Sequence, residues 1–382
     1  MNREVIIVGG GIGGLSTAFA LTRAGHDVQL LEQAPEFGEV GAGLQLAPNA
    51  TRILAEWGLL EEVVAAGVRP RRLVLRDAVT GEELTHLDLG EEFRQRYGAP
   101  YVVVHRSDLH RILLEGCRRI GVAMETGRRV TGVVSTAHDA VTSCADGAVY
   151  RSAAVLGIDG LNSTLRDQIV GDQPIPSGYV AYRGTLPADD LTVELDLDDV
   201  VAWIGPGCHL VQYALRRGEM VNQVAVFRSP AFQRGEAAWG GPDEVDDAFS
   251  HCCEHVRKSL TSLWRDTHWP MYDRAPATRW TDGRLGLLGD AAHPMLQYLA
   301  QGACQAIEDA HTVTALAEQG DWPAALIATQ DARAVRTGQV QSAARVWGEI
   351  WHVDGIARLL RNELLTGRDP RDYRHIDWLY GS

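Results

Sequence analysis

What the chain lacks narrows its function before any motif is read. Its six cysteines, Cys117, Cys144, Cys208, Cys252, Cys253 and Cys304, form no C-x-x-C pair and have no histidine cluster beside them. That argues against a zinc ribbon or a disulfide framework; six reduced thiols in a cytoplasmic protein, with no metal site, are expected. No apolar run approaches the ~18 residues of a membrane span, and no basic segment leads into a signal-like apolar core. Positive charge is in deficit: 36 Lys and Arg face 50 Asp and Glu, a net charge of -14. A general affinity for nucleic acid or acidic membrane is thereby disfavoured, although a local field can still receive a small anion. Internal repeats and low-complexity segments are also missing.

What is present is a globular composition, 45% hydrophobic and 23% charged over 382 residues, long enough for two closely packed domains. Glycine is concentrated at the start. Residues 4–33 read EVIIVGGGIGGLSTAFALTRAGHDVQLLEQ, with five glycines in the six positions 9–14. Residues 4–8 are a short apolar run suited to a buried parallel strand. Gly9, Gly11 and Gly14 then give G-x-G-x-x-G. Residues 15–23 predict a helix with Gly25 as its C-cap, and 27–31 a second strand ending at Glu32. In a dinucleotide site the first glycine permits the tight turn, the second admits the pyrophosphate to the backbone, and the third lets helix pack on strand. The helix N-terminus offers free N–H groups to the phosphates, and Glu32 would accept hydrogen bonds from the adenosine ribose. The motif alone leaves NAD and FAD open.

Two later stretches bear on that choice. VLGIDGLNSTLR (155–166) sets Asp159 and Gly160 after an apolar strand. GRLGLLGDAAHPMLQYLAQGACQAIEDA (283–310) sets Gly289 and Asp290 after another, ahead of a glycine-opened helix. With GxGxxG, GxDGxxSxxR and GDAAHP in this order, the chain resembles the single-component FAD-dependent aromatic hydroxylases of the para-hydroxybenzoate hydroxylase type over most of its length. The resemblance implies FAD as cofactor, with Asp290 at the ribityl chain and Gly302 and Ala303 opening a helix whose N-terminus faces the flavin. It implies Arg106, in VVVHRSDLHRILL (102–114), as a flavin-contacting arginine, and Asp159 in contact with the FAD pyrophosphate and the pyridine nucleotide. Taken singly, Asp290 suits a helix N-cap and Arg106 a solvated strand end; His293 reads as a packed or hydrogen-bonded residue rather than a catalyst. No second glycine fingerprint follows, so NADH or NADPH is implied as a transient visitor. NADH is expected, because the resembled hydroxylases favour it and no Arg or Lys is placed to read a 2′-phosphate.

The chain departs from the family text after GDAAH. A proline four residues beyond the histidine, and then a glycine, are replaced by Gln297 and Ala300. Gln297 puts a donor and an acceptor where substrate meets the flavin edge. Between residues 177 and 271, the segments 179–184, 200–205, 208–218 and 220–227 read as successive antiparallel strands. His209, Val211 and Tyr213 share one face, with His209 and Tyr213 ~13 Å apart at the backbone. By themselves such residues are usually packing. Together with Gln297 and the stretches EFGEVGAGLQLAPN (36–49), CHLVQY, WPMYDRAP and HPMLQYLAQGA, they look like the members of the family that convert 3-hydroxybenzoate to 2,5-dihydroxybenzoate. Arg183 is a candidate partner for the carboxylate of that small aromatic substrate, with a sheet-edge salt bridge as its structural alternative.

The resemblance implies a flavin C4a-hydroperoxide formed from O2 as the oxygen donor. His209 and Tyr213 would polarise or deprotonate the phenol, and Gln297 would orient the ring. A salicylate hydroxylase, a polyketide-tailoring hydroxylase and a non-catalytic flavin-binding redox sensor remain as alternatives. The expected fold class is α/β: a Rossmann-like FAD-binding domain from residues 1–72, 98–176 and 277–345, and a smaller antiparallel-sheet substrate domain from 73–97 and 177–276. Residues 346–382 would form a C-terminal helix and tail, whose Trp347, Trp351 and Trp378 would cover the active site or form a homodimer contact.

Overall fold

The computed structural model describes residues 3–38, 41–317 and 321–381; Glu39 and Val40, inside the 36–49 stretch quoted above, lie outside the described residues. Two large sheets organise the chain, one of eight strands and one of seven. In the first, Arg3–Val8 lies parallel between Val28–Leu31 and Val149–Gly157. Leu285–Leu287 and Ala123–Glu125 extend the parallel region on either side. Val5, Ile6 and Ile7 are fully buried, as expected of a strand covered on both faces. The helix Ile12–Arg23 returns over this sheet on Leu15, Phe19 and Leu21. It begins three residues earlier than the sequence suggests, because Gly13 and Gly14 join its first turn. Gly9 makes the tight turn at φ +109, and a Cβ on Gly14 would stand 1.8 Å from the Gly9 carbonyl oxygen. Only glycine allows that approach.

The second sheet runs in the order Trp269–Asp273, Ile175–Pro187, Met220–Arg228, Cys208–Leu215, Asp199–Gly205, Arg72–Asp77, Glu83–Asp88. The four middle strands expected from sequence are all present. The sheet is not purely antiparallel, however: Asp199–Gly205 pairs in parallel with Arg72–Asp77. These strands come from distant parts of the chain, so no hairpin turn dictates their direction.

A helix of 30 residues, Trp322–Trp351, links the sheets. Near its start Leu326 packs against Gly286 of the first sheet, and at its end Trp351 joins the cluster containing Ile204 and Val226 of the second. No proline interrupts it after Pro323, and it continues through residue 345, where the sequence suggests a boundary. The chain then forms Gly355–Thr366 and Asp377–Tyr380. Tyr373 and Tyr380 seat this end against Phe93 and Tyr97, and Arg52 donates to the Tyr380 carbonyl at 3.0 Å. Among the described residues no helix is long and apolar enough to cross a membrane.

Candidate active site

A cavity of about 510 Å³ lies where the parallel strands of the first sheet end against the inner face of the second. Gly11, Arg106, Asp290, Gly302 and Ala303 line one part of it. The helices Ile12–Arg23 and Gly302–Ala317 both begin at this wall, the first with no side-chain cap. Unpaired N–H groups and two positive dipole ends are therefore concentrated here. A Cβ added at Gly160, also on the wall, would meet nothing within 4 Å, and one at Gly302 only Asp290 Oδ1 at 3.9 Å. This open, glycine-lined wall fits the diphosphate and ribityl chain of FAD.

Other sequence candidates stand one step behind it. Gly9 and Gly14 shape the turn without lining the cavity. Glu32 accepts hydrogen bonds from the Gly10 amide at 2.5 Å and the Ala34 amide at 2.7 Å, which leaves lone pairs for a ribose hydroxyl. Asp159 accepts from Ser163 Oγ at 2.5 Å and the Leu165 amide at 3.4 Å, and burial raises its pKa. It thus braces the loop that carries Gly160.

Two buried residues explain why the motifs occur together. Arg166, the last residue of GxDGxxSxxR, donates to the carbonyls of Ala291 (3.0 Å) and Ala292 (2.6 Å), tying that motif to GDAAHP. Asp309 accepts from the Gly289 amide at 2.8 Å and Arg333 Nε at 2.7 Å, and lies 2.6 Å from His293 Nε2. Burial would raise the Asp309 pKa, but His293 and Arg333 outweigh it and hold the carboxyl at about 2. His293 is therefore a hydrogen-bonded framework residue. Neither Asp309 nor Arg333 stood out from sequence, where an acid and an arginine on helices carry no distinguishing signal.

The opposite part of the cavity is built by the second sheet. Register aligns Ala202, Val211, Val224 and Arg183 in one row across four strands, all on the cavity wall. His209 and Tyr213 stand two residues either side of Val211, and Arg183 two strands away, ~10 Å from it at the backbone. Gln297 lines the cavity too, and its amide makes no hydrogen bond among the described residues. The Tyr213 ring lies against Gly43, where a Cβ would stand 2.5 Å from Cε2 and 2.7 Å from the hydroxyl. Burial pushes the Tyr213 pKa well up despite Arg183, so its hydroxyl is a neutral donor.

Arg183 has no ion pair among the described residues. Its Nε is buried without a partner, and its guanidinium sits 5.5 Å from the Trp269 ring centre. The sheet-edge salt bridge is absent, and an arginine that stays charged waits at the cavity wall.

His209 is buried, with Nδ1 2.8 Å from His352 Nε2 and the two rings stacked. Burial pushes the His209 pKa down to about 3. The residue is therefore a neutral imidazole with one nitrogen committed to a partner. Nothing in the sequence marked that partner, 143 residues away. Of the three tail tryptophans, Trp347 and Trp351 line the cavity, whereas Trp378 is 42% exposed beside a separate surface groove. Outside the cavity, the fold brings Cys208 to the adjacent residues His251 and Cys252.

The FAD binding domain family matches residues 2–340. A 3-hydroxybenzoate 6-hydroxylase of Polaromonas naphthalenivorans (strain CJ2) is 40% identical over 99% of this chain and 95% of its own length. The chain belongs to the FAD-dependent aromatic hydroxylases. It is a flavoprotein monooxygenase, and its cofactor is FAD. A 3-amino-4-hydroxybenzoate 2-monooxygenase of Streptomyces cremeus is 37% identical over 99% of this chain and 95% of that protein. HpxO of Klebsiella pneumoniae, solved with FAD and uric acid, superposes with a TM-score of 0.85 at 26% identity, covering 99% of this chain and 96% of the other. The α/β class expected from the motifs is the class found.

Proposed function

We propose that this hydroxylase converts 3-hydroxybenzoate to 2,5-dihydroxybenzoate, using NADH and O2. The observation that carries the reading is one wall bearing an unpaired guanidinium, Arg183, together with His209, Tyr213 and Gln297, opposite the FAD-fitting glycines. Full-length similarity to a 3-hydroxybenzoate 6-hydroxylase supports the substrate.

Bound FAD, once reduced by the nicotinamide, supplies an electrophilic oxygen atom derived from O2. Arg183 binds the substrate carboxylate, so the ring enters in one orientation. His209 accepts a hydrogen bond from the phenol, whose pKa near ~10 otherwise leaves the ring a poor nucleophile. As the phenol loses its proton, the phenolate charge offsets the burial penalty that keeps His209 neutral. His352 holds the other ring nitrogen and thereby fixes the imidazole's orientation. The Tyr213 hydroxyl donates to the substrate, and Gln297 sets the ring's tilt. Val211, Trp347 and Trp351 keep water away. In this reading residues 1–72, 98–176 and 277–345 carry the cofactor, 73–97 and 177–276 carry the substrate, and the enzyme is a cytoplasmic homodimer.

The test is NADH oxidation by the FAD-loaded protein across substituted benzoates, with products identified by chromatography. 2,5-Dihydroxybenzoate from 3-hydroxybenzoate is expected. Release of CO2 from 2-hydroxybenzoate as the preferred reaction would assign salicylate chemistry instead. Preference for a multi-ring phenol would indicate tailoring chemistry, and FAD binding without substrate-stimulated NADH oxidation would remove the catalytic reading.

A further inference from the structure

On the opposite side of the substrate sheet from the cavity, three soft donors converge. Cys208 Sγ is 3.6 Å from Cys252 Sγ and 3.8 Å from His251 Nε2, which is itself 3.8 Å from Cys252 Sγ. A point equidistant from three atoms so spaced lies about 2.2 Å from each, between the ~2.0 Å of a zinc–imidazole bond and the ~2.3 Å of a zinc–thiolate bond. An ion slightly out of the donor plane satisfies both lengths without moving the side chains, and its fourth position stays open. A disulfide would need the sulfurs to close to ~2.05 Å and has no use for the histidine. Cys208 and Cys252 are buried while His251 is exposed, so two ligands come from the interior and the third closes the site from the solvent side. Cys208 precedes His209 on the same strand, and alternate residues face opposite sides of a sheet. The cluster is therefore separate from the active site.

We propose that Cys208, His251 and Cys252 bind one zinc-class divalent cation. Two sulfurs and an imidazole select a soft or borderline ion over magnesium or calcium. Binding releases one proton from each thiol, and the two thiolates balance the 2+ charge. The ion joins the strand Cys208–Leu215 to the segment that follows the helix Asp243–Ala248, adding to the hydrogen bonds that Gln212 makes with His255 at 3.0 Å and Ser259 at 3.1 Å.

The test uses the FAD-loaded full chain, reduced and freed of metal, titrated with Zn²⁺ against a chromophoric chelator. Co²⁺ serves as a spectroscopic probe for thiolate charge-transfer and tetrahedral bands. One Zn²⁺ per chain, a raised Tm with Zn²⁺ and a thiolate–Co²⁺ band are expected. His251→Ala, at an exposed position, and Cys252→Ser should each weaken binding by about two orders of magnitude with FAD content retained. Absence of stoichiometric Zn²⁺ binding by the reduced wild-type protein overturns the proposal. So does binding undiminished in both variants, or a Cys208–Cys252 disulfide found by mass spectrometry in protein that takes up no Zn²⁺.

Discussion

Arg183→Ala isolates carboxylate recognition from the rest of the site. In the wild-type protein the guanidinium is partly buried, lies over Trp269 and meets no anion among the described residues, so its interactions are still to be made. A hydrogen bond to a charged group contributes about 1.5–3 kcal/mol, and a two-pronged arginine–carboxylate contact somewhat more. A loss of about 2–4 kcal/mol corresponds to roughly 30-fold to 1000-fold in kcat/KM for 3-hydroxybenzoate. Arg183→Lys keeps the charge without the planar fork and should fall between. Steady-state product formation should be compared with the uncharged analogue 3-hydroxybenzamide, which wild type should use poorly and the alanine variant no worse. Stability should move the other way, because removing a cation with no partner relieves a desolvation cost, so Tm should hold or rise. Equal losses for acid and amide, or less than about a threefold loss for the acid, would show that another group receives the carboxylate.

Four further outcomes follow from particular contacts. Gly43→Ala drives a methyl into the Tyr213 ring, so it should cost about 1–3 kcal/mol and slow hydroxylation with FAD content intact; an unchanged rate would separate Tyr213 from the chemistry. Ala300 sits in the left-handed region at φ +53, so Ala300→Gly should raise stability by about 1 kcal/mol, and a lowered Tm would refute the strain. Asp309→Asn should cost about 3 kcal/mol or more and weaken FAD retention. Its folded pKa of about 2 lies below the unfolded carboxyl value, so its stabilising effect is complete above pH ~4 and is lost as pH falls towards 2; the variant's stability should vary less with pH there, and identical acid-unfolding curves would refute the linkage. His209→Ala should slow hydroxylation by roughly 10²-fold while NADH oxidation continues with peroxide released; near-normal coupling would reduce His209 to packing.

The parts of this protein legible in its sequence are those written in short-range pattern. The first strand, the glycine turn and the helix that follows it, apart from its first three residues, follow from periodicity and from the needs of glycine backbone, and the four middle strands of the second sheet follow from alternation. The shared face of His209, Val211 and Tyr213 is a consequence of strand period alone. What stayed hidden depends on contacts between distant segments. His352 acquires meaning only when the fold lays it on His209, and Asp309 only when it receives the Gly289 amide. The parallel pairing of Asp199–Gly205 with Arg72–Asp77 has no local signature, and burial, which sets the state of His209, is a property of the packed chain.

The helix Trp322–Trp351 sets a dimension of the active site. At one end Trp322 Nε1 donates at 3.1 Å to Oε1 of Glu4, in the first strand of the first sheet; at the other His352 caps the helix and touches His209. Thirty residues of helix span ~45 Å, and each residue advances the rotation by ~100°. Both ends are anchored, so the helix acts as a spacer whose length and phase are fixed together. Adding or deleting one residue would turn His352 by ~100° and shift it ~1.5 Å, taking its ring off His209 while every residue of the cavity wall kept its identity. The spacing from Trp322 to His352 is therefore as much a part of the candidate active site as the side chains that line its cavity.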